Sequence, residues 1–284
     1  MSKKEKDSFG DRMKFYEKRN SIDLITKQPI IIRLDGKSFH TFTKGLEKPF
    51  SINLTIALNY ATKKLIENID NIKFAYLQSD EISLLLCDWD KDSTEPYCKN
   101  TKSKLESLSA SIFTYYFNEK FKELYPENNK IGFFDSRAFT LPFTEVDNYF
   151  IWRQQDCIKN AISMIAYSKY SAKQLQNLST TDRLNKLLTD GFILSNIPKF
   201  FLNGRSLYKV KKELKDPQGN IYVRNVLSLD NNIPLFKENR EFITRYFKDY
   251  FDLEYFKSNR ETLKDINFTR DMLKYIQELG LLKD

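Results

Sequence analysis

The sequence predicts an α+β domain: an antiparallel sheet flanked by helices, with a helical C-terminal appendage. Short β-branched runs alternate with apolar residues at helical spacing in the order β-α-β-β-α-β. The two middle strands are separated only by Asp80-Glu81, a hairpin spacing that sets them antiparallel. From Lys237 onward the pattern is helical, with charges of both signs.

Ile30 to Leu34 is a β-branched run that reads as a buried strand, closed by the turn signal Asp35-Gly36. Leu54, Leu58, Ala61, Leu65 and Ile69 recur at spacings of three and four and predict an amphipathic helix. Lys73 to Ser79 and Ile82 to Cys87 are the hairpin strands. Leu105, Leu108, Ile112 and Tyr116 mark a second helix, and Ile131 to Thr140 a further strand carrying Asp135 and Arg137. Thr144 to Tyr170 reads as a helix capped by Thr144. Lys199 to Lys215 is basic and interleaved with aromatics, and Pro217-Gln218-Gly219-Asn220 is a turn. With no internal repeat and no low-complexity linker, the division expected is a catalytic domain over 1–230 and a helical extension over 231–284.

The chain of 284 residues is 41% hydrophobic, enough for a sizeable core, and 30% charged. No apolar run approaches the roughly 20 residues of a membrane span. Met1-Ser2-Lys3-Lys4-Glu5-Lys6-Asp7 lacks a signal-peptide core, so a cytoplasmic protein with no membrane partner is expected, an organellar compartment being left open. A net charge of +8 favours polyanionic partners. Cys87, Cys98 and Cys157 are odd in number with no close pair, which fits a reduced compartment and argues against structural zinc. His40 is the only histidine, which excludes chemistry needing two. Demanding chemistry in this chain must run on carboxylates and a bound cation.

Asp35 closes one strand, and Asp80 sits at the tip of the hairpin beside Glu81. Carboxylates at adjacent strand ends can share magnesium ions, which take hard oxygen ligands and leave room for phosphate and water. Ordinary turns would carry the same residues, and this pattern alone leaves both readings open.

The surrounding strings are more specific. Arg33-Leu34-Asp35-Gly36-Lys37-Ser38-Phe39-His40, Gln78-Ser79-Asp80-Glu81-Ile82-Ser83, Phe134-Asp135-Ser136-Arg137 and Tyr149-Phe150-Ile151-Trp152-Arg153-Gln154-Gln155-Asp156 closely resemble the motif blocks of the histidine-tRNA guanylyltransferase family, in order and at similar spacing, over roughly residues 8 to 210. The resemblance implies a polymerase-palm-like domain that extends RNA in the reverse, 3′-to-5′ direction. It implies two magnesium ions held by Asp35, the Gly36 carbonyl and Asp80, with Glu81 a further acid needed for activity. It places the triphosphate along Asp35, Gly36, Lys37, Ser38, Phe39, His40, Ser79 and Asp80, with Lys48 at a second triphosphate and Arg137 on phosphate. ATP, GTP and other nucleoside triphosphates are the implied substrates together with tRNA, and a homotetramer the implied assembly.

Members dedicated to histidine tRNA carry His-Ile-Asn-Asn-Leu-Tyr-Asn where this chain reads Ile158-Lys159-Asn160-Ala161-Ile162-Ser163-Met164. Only Asn160 is retained, which makes the chain similar to the family's guanylyltransferase-like proteins. These add nucleotides against a template and repair truncated tRNA 5′ ends. The alternative is untemplated guanylylation of histidine tRNA. Outside the motif blocks, Lys199, Arg205, Lys209, Lys211, Lys212 and Lys215 with Phe200, Phe201 and Tyr208 suit either an RNA contact or a solvated hairpin whose aromatics are core.

Overall fold

In a computed structural model the chain is described over residues 8–19, 21–89 and 93–246. Helix α1 (Ser8–Lys18) precedes strand β1 (Ile30–Gly36), the short α2 (Phe39–Phe42) and α3 (Ile52–Asn68). The hairpin β2 (Ile72–Gln78) and β3 (Glu81–Leu86) leads to α4 (Lys102–Leu124), β4 (Phe134–Thr140) and the long α5 (Val146–Lys169). Three shorter helices, α6 (Ala172–Leu175), α7 (Thr180–Thr189) and α8 (Lys199–Leu202), come before a second hairpin of β5 (Arg205–Lys215) and β6 (Ile221–Asp230) and the final turn α9 (Glu241–Thr244). The predicted β-α-β-β-α-β core is present, and the strands form one antiparallel sheet in the order β4-β1-β3-β2-β5-β6. Among the described residues no helix is long and apolar enough to cross a membrane.

Alternation along the strands divides the apolar residues between two faces. Ile30, Ile32 and Leu34 of β1 join Ala75, Leu77, Ile82 and Leu84 in a core covered by α3 and α4. Helix α4 contributes Phe113, Phe117 and Phe121 at every fourth position, none more than 1% exposed. The Phe117 ring lies 5.7 Å from Phe39, 5.0 Å from Phe134 and 5.6 Å from Phe121. Burial of each such ring stabilises the fold by about 1.5–3 kcal/mol.

On the opposite face Ile31, Phe74, Tyr76 and Leu85 pack under α5 through Val146, Tyr149 and Phe150. The segment after β6 adds Ile233, Phe236, Phe242 and Ile243 to that cover. Residues 231–246, assigned to the extension from sequence, therefore pack in the core of the sheet domain, and the rest of the expected extension lies outside the described residues. Gln154 fastens this segment: its Nε2 donates to the carbonyls of Pro234 (3.0 Å) and Asn203 (3.1 Å), and its Oε1 accepts from the Phe236 amide at 2.7 Å. A third, smaller core joins the second half of α5 to α6 and α7 through Ile162, Ile165, Leu175 and Leu187.

Two local expectations are corrected. Thr144 does not cap α5: Pro142 leads into a 3-10 turn over Phe143–Glu145, which delays the helix to Val146. Strand β4 starts at Phe134, because the Asn118 side chain binds both the amide and the carbonyl of Gly132 at 2.8 Å and takes that backbone out of the ladder. Only Arg205 to Tyr208 of β5 pair with β2. From Lys209 to Lys215 the strand pairs with β6 alone, so the second hairpin projects past the sheet to its turn at Gly219 (φ 89°).

Candidate active site

The end of β1, the tip of the β2–β3 hairpin and the start of β4 meet at one end of the sheet. Gly36 sits in the middle. A Cβ there would lie 2.2 Å from Phe39 and 2.7 Å from Asp80 Oδ2, so the Asp80 carboxylate approaches backbone that only glycine leaves open. Ser79, at φ 45°, turns the hairpin and donates its hydroxyl to Asp80 Oδ1 at 2.9 Å. Burial raises the Asp80 carboxyl to about 6, and the charges of Asp35 and Glu81 push the same way.

Glu81, one residue on, is compensated. Its Oε1 meets Arg153 Nε at 2.8 Å and accepts from Gln78 Nε2 at 3.0 Å, and its Oε2 faces Arg33 Nε at 4.0 Å. Burial nevertheless holds its pKa above the ordinary glutamate value, against the pull of the two arginines. Of two adjacent acids, one is held by arginines, and the other faces a second carboxylate with no ion-pair partner among the described residues.

The strand register extends the pattern. Arg33 stands opposite Arg137 on β4, and Asp35 stands opposite Asp135. Like charges directly across an antiparallel pair are unfavourable. Here a row of two arginines and a row of two aspartates lie side by side at the open end of the face covered by α5. The acidic row suits a cation and the basic row suits phosphate. Arg137 Nη2 and Asp135 Oδ1 approach at 3.8 Å, both exposed to solvent.

The residues expected from sequence fall into three groups. Asp35, Gly36, Ser79, Asp80 and Glu81 come together at the sheet end. Lys37, Ser38 and His40 follow on the exposed loop and first turn after β1, and Lys48 is exposed on the loop before α3. Phe39, expected at the triphosphate, has its ring in the α3–α4 core, 4.7 Å from Phe42 and 5.0 Å from Phe134, which leaves only its backbone available to a ligand. Among the described residues there is no cluster of three or more acids, histidines or cysteines able to hold a metal by themselves. The oxygen set present, Asp35, Asp80 and the Gly36 carbonyl, nevertheless fits magnesium, which keeps several water and phosphate ligands. The uncompensated charge at Asp80 is the observation that favours a cation there.

Arg205 is corrected as an RNA contact: it is 3% exposed, donates to Asn59 Oδ1 on α3, and burial lowers its pKa to about 10. The aromatics of that stretch are packed, Phe200 and Phe201 against Phe50 and Tyr208 against Tyr246, whereas Lys209, Lys211, Lys212 and Lys215 are exposed. Missed from sequence were the roles of Arg33, Arg153 and Asp135. Arg33-Leu34-Asp35 and Asp135-Ser136-Arg137 are mirror images, and antiparallel pairing of the two strands aligns like with like. That signal was readable once the strand partners were known.

A six-stranded antiparallel sheet with helices on both faces and carboxylates gathered at one end defines a palm-like domain. A family model described as tRNAHis guanylyltransferase, Thg1, matches residues 10–142. Two solved structures of a bacterial tRNA(His) guanylyltransferase (Thg1)-like protein are similar. Its complex with ATP gives a TM-score of 0.77 at 40% identity over 84% of this chain and 98% of that one. Its complex with GTP gives 0.72 at 38% identity over 84% and 99%. The tRNA(His) guanylyltransferase 2 of Arabidopsis thaliana is 29% identical over 200 residues, 65% of this chain and 36% of the plant protein. The chain thus spans about a third of the length of the plant relatives it matches. The chain belongs to the tRNAHis guanylyltransferase (Thg1) family, a family of nucleotidyltransferases.

Proposed function

We propose that the chain is a template-dependent 3′-5′ nucleotidyltransferase that restores missing nucleotides at the 5′ end of tRNA. The observation that carries the chemistry is the pairing of Asp35 with Asp80, a half-buried carboxylate that has no ion-pair partner among the described residues. Two magnesium ions bound by Asp35, Asp80 and the Gly36 carbonyl would neutralise phosphate oxygens and favour ionisation of the attacking hydroxyl.

The chain's own residues bind and orient. In activation, a 5′-phosphate oxygen of the RNA attacks the α-phosphorus of ATP and pyrophosphate leaves. In addition, the 3′-hydroxyl of the incoming nucleotide attacks the 5′-phosphorus, forms the new phosphodiester and displaces AMP. Lys37, Ser38, His40 and Ser79 line one triphosphate, with Asp35, Gly36, Asp80 and the Phe39 backbone at its base, and Lys48 reaches a second. Arg137, with Arg33 beside it, meets phosphate of the RNA end. Glu81, fixed by Arg153, sets the negative field around Asp80 without leaving its ion pair. Both steps depend on positioning and charge neutralisation, so neither a histidine base nor a cysteine nucleophile is needed.

Template dependence is supported at Ile158, where dedicated enzymes carry histidine. Ile158 packs against the small core of α5, α6 and α7 and offers the RNA no polar atom from its side chain. Similarity to a bacterial Thg1-like protein favours the same reading. The reading includes assembly as a homotetramer, which sedimentation checks. The decisive experiment is a matrix of template base against added nucleotide, using tRNA that lacks its first residue. A diagonal matrix is expected, whereas guanine in every row would assign untemplated guanylylation instead. RNA that already carries a 5′-triphosphate should need no ATP, since pyrophosphate is then the leaving group.

A further inference from the structure

The α5 face presents a residue that the chemistry above leaves unused. Trp152 is 53% exposed, on the flank of α5 turned toward β4: its neighbour Tyr149, 6.0 Å away, packs on Phe139 of β4 at 5.8 Å. The guanidinium of Arg153 covers one face of the indole, 4.1 Å from the ring centroid. That guanidinium is itself fixed, by Glu81 at 2.8 Å and Asp156 at 2.6 Å. An exposed tryptophan is thus backed by a cation held rigid by one of the active-site acids. The same flank carries exposed Lys159 two turns on, and Arg137 faces it from β4 one alternation beyond Phe139.

We propose that Trp152 is a stacking platform for a nucleobase at the 5′ end of the RNA acceptor stem. An indole offers a large π-surface on which any base can stack, and an arginine behind it adds to the attraction. The surrounding basic side chains match the charge of an RNA backbone. The assignment to RNA, and not to the free nucleotide, follows from the two faces of the sheet. The loop after β1 that lines the triphosphate runs into Phe39 and Phe42, which pack in the α3–α4 core. Trp152, Arg33 and Arg137 stand with Asp35 on the α5 face, away from that loop, and leave this side of the carboxylates to the second substrate. This inference rests on the proposed function, because it takes an RNA end as that second substrate.

The chain has two tryptophans, and the other, Trp89, is buried at 7% exposure. In a Trp89→Phe variant the emission therefore reports Trp152 alone. Should that variant not fold, the difference between wild type and Trp152→Phe isolates the same signal. Three probes are titrated without magnesium: an RNA hairpin with a 5′-monophosphate and an unpaired template base, a dumbbell RNA with the same stem sealed at both ends, and ATP or GTP alone. Binding of the hairpin should quench at least half of the Trp152 emission at the concentrations where anisotropy shows it bound, and the dumbbell and the nucleotides should not. Hairpin binding with unchanged emission, or equal quenching by the dumbbell or by nucleotide alone, overturns the platform. In addition assays Trp152→Ala should raise the KM for RNA on the order of tenfold and leave the KM for ATP unchanged, with Trp152→Phe close to wild type. If the wild-type chain adds no nucleotide yet the hairpin still quenches, the proposed function fails and the platform stands. If addition is robust and Trp152→Ala has no effect, the platform fails alone.

Discussion

The same strands build two unlike surfaces. On the face covered by α3 and α4, apolar packing runs unbroken to the end of the sheet that carries the candidate site, through Leu34, Phe134 and Phe39 directly beneath the loop after β1. On the face covered by α5 it stops at Ile31, Leu85 and Phe139, and the next two rows are Arg33 with Arg137 and Asp35 with Asp135. One face holds the backbone in place, so that the other can carry like charges side by side. A half-buried carboxylate raised to about 6, as at Asp80, persists only where its surroundings are rigid enough to keep it from turning fully out to water.

That division can be broken from the charged side first. Asp35→Asn or Asp80→Asn should reduce both activation and addition by at least about a hundredfold while circular dichroism stays that of wild type. Near-normal addition by either variant at saturating magnesium would overturn the assignment. The same Asp80 change should affect stability in the opposite direction. The folded pKa is raised above the ordinary 3.8, so what the group contributes to stability is present at low pH and lost as pH rises through about 6. In chelator at pH 8, Asp80→Asn should therefore melt above wild type, and the gap should close toward pH 4.

From the other side, Phe117→Ala should cost about 3–5 kcal/mol of stability by urea titration and leave the specific activity of the folded fraction unchanged. A loss of activity without a loss of stability would show that the two faces are not separable in this way. Arg153→Ala tests the junction between them. It strands Glu81 in a largely buried site, so it should lower both the melting temperature and the rate, and Arg153→Lys should recover the first more than the second because lysine lacks the planar fork. The smallest effect is expected on the projecting hairpin. If Lys212 and Arg224 meet RNA phosphate there, each change to Gln should lower the salt slope of RNA binding by about 0.7–0.9 and leave template choice untouched.

The sequence made the order of elements along the chain and the candidate acids legible, because alternation and helical spacing are local and because the motif blocks are contiguous, but not the order of strands in the sheet. What lay beyond it depended on pairing across distance. That Arg153 pairs with Glu81 is a contact over 72 positions of sequence, made only once α5 packs on the sheet. Standing in a basic run, Arg205 fitted either an RNA contact or a solvated hairpin, yet the four residues at the start of β5 are the ones that enter the sheet. The boundary set after 230 did not foresee the packing of Ile233 and Phe236, since the short run Ile233-Pro234-Leu235-Phe236 is interrupted by proline and carries no periodic signal.

The reach of Gln154 to the Phe236 amide also sets a timetable for synthesis. Most of the α3–α4 face has its parts once residue 140 has left the ribosome, and α5 follows soon after. Phe74, Tyr76 and Phe150 then wait for Phe236 and Phe242 to cover them. At 5–20 residues per second that wait is on the order of ten seconds. For that interval the nascent chain shows an aromatic surface to whatever chaperone stands at the tunnel exit. The segment carrying Phe236 and Phe242 is the one that ends it.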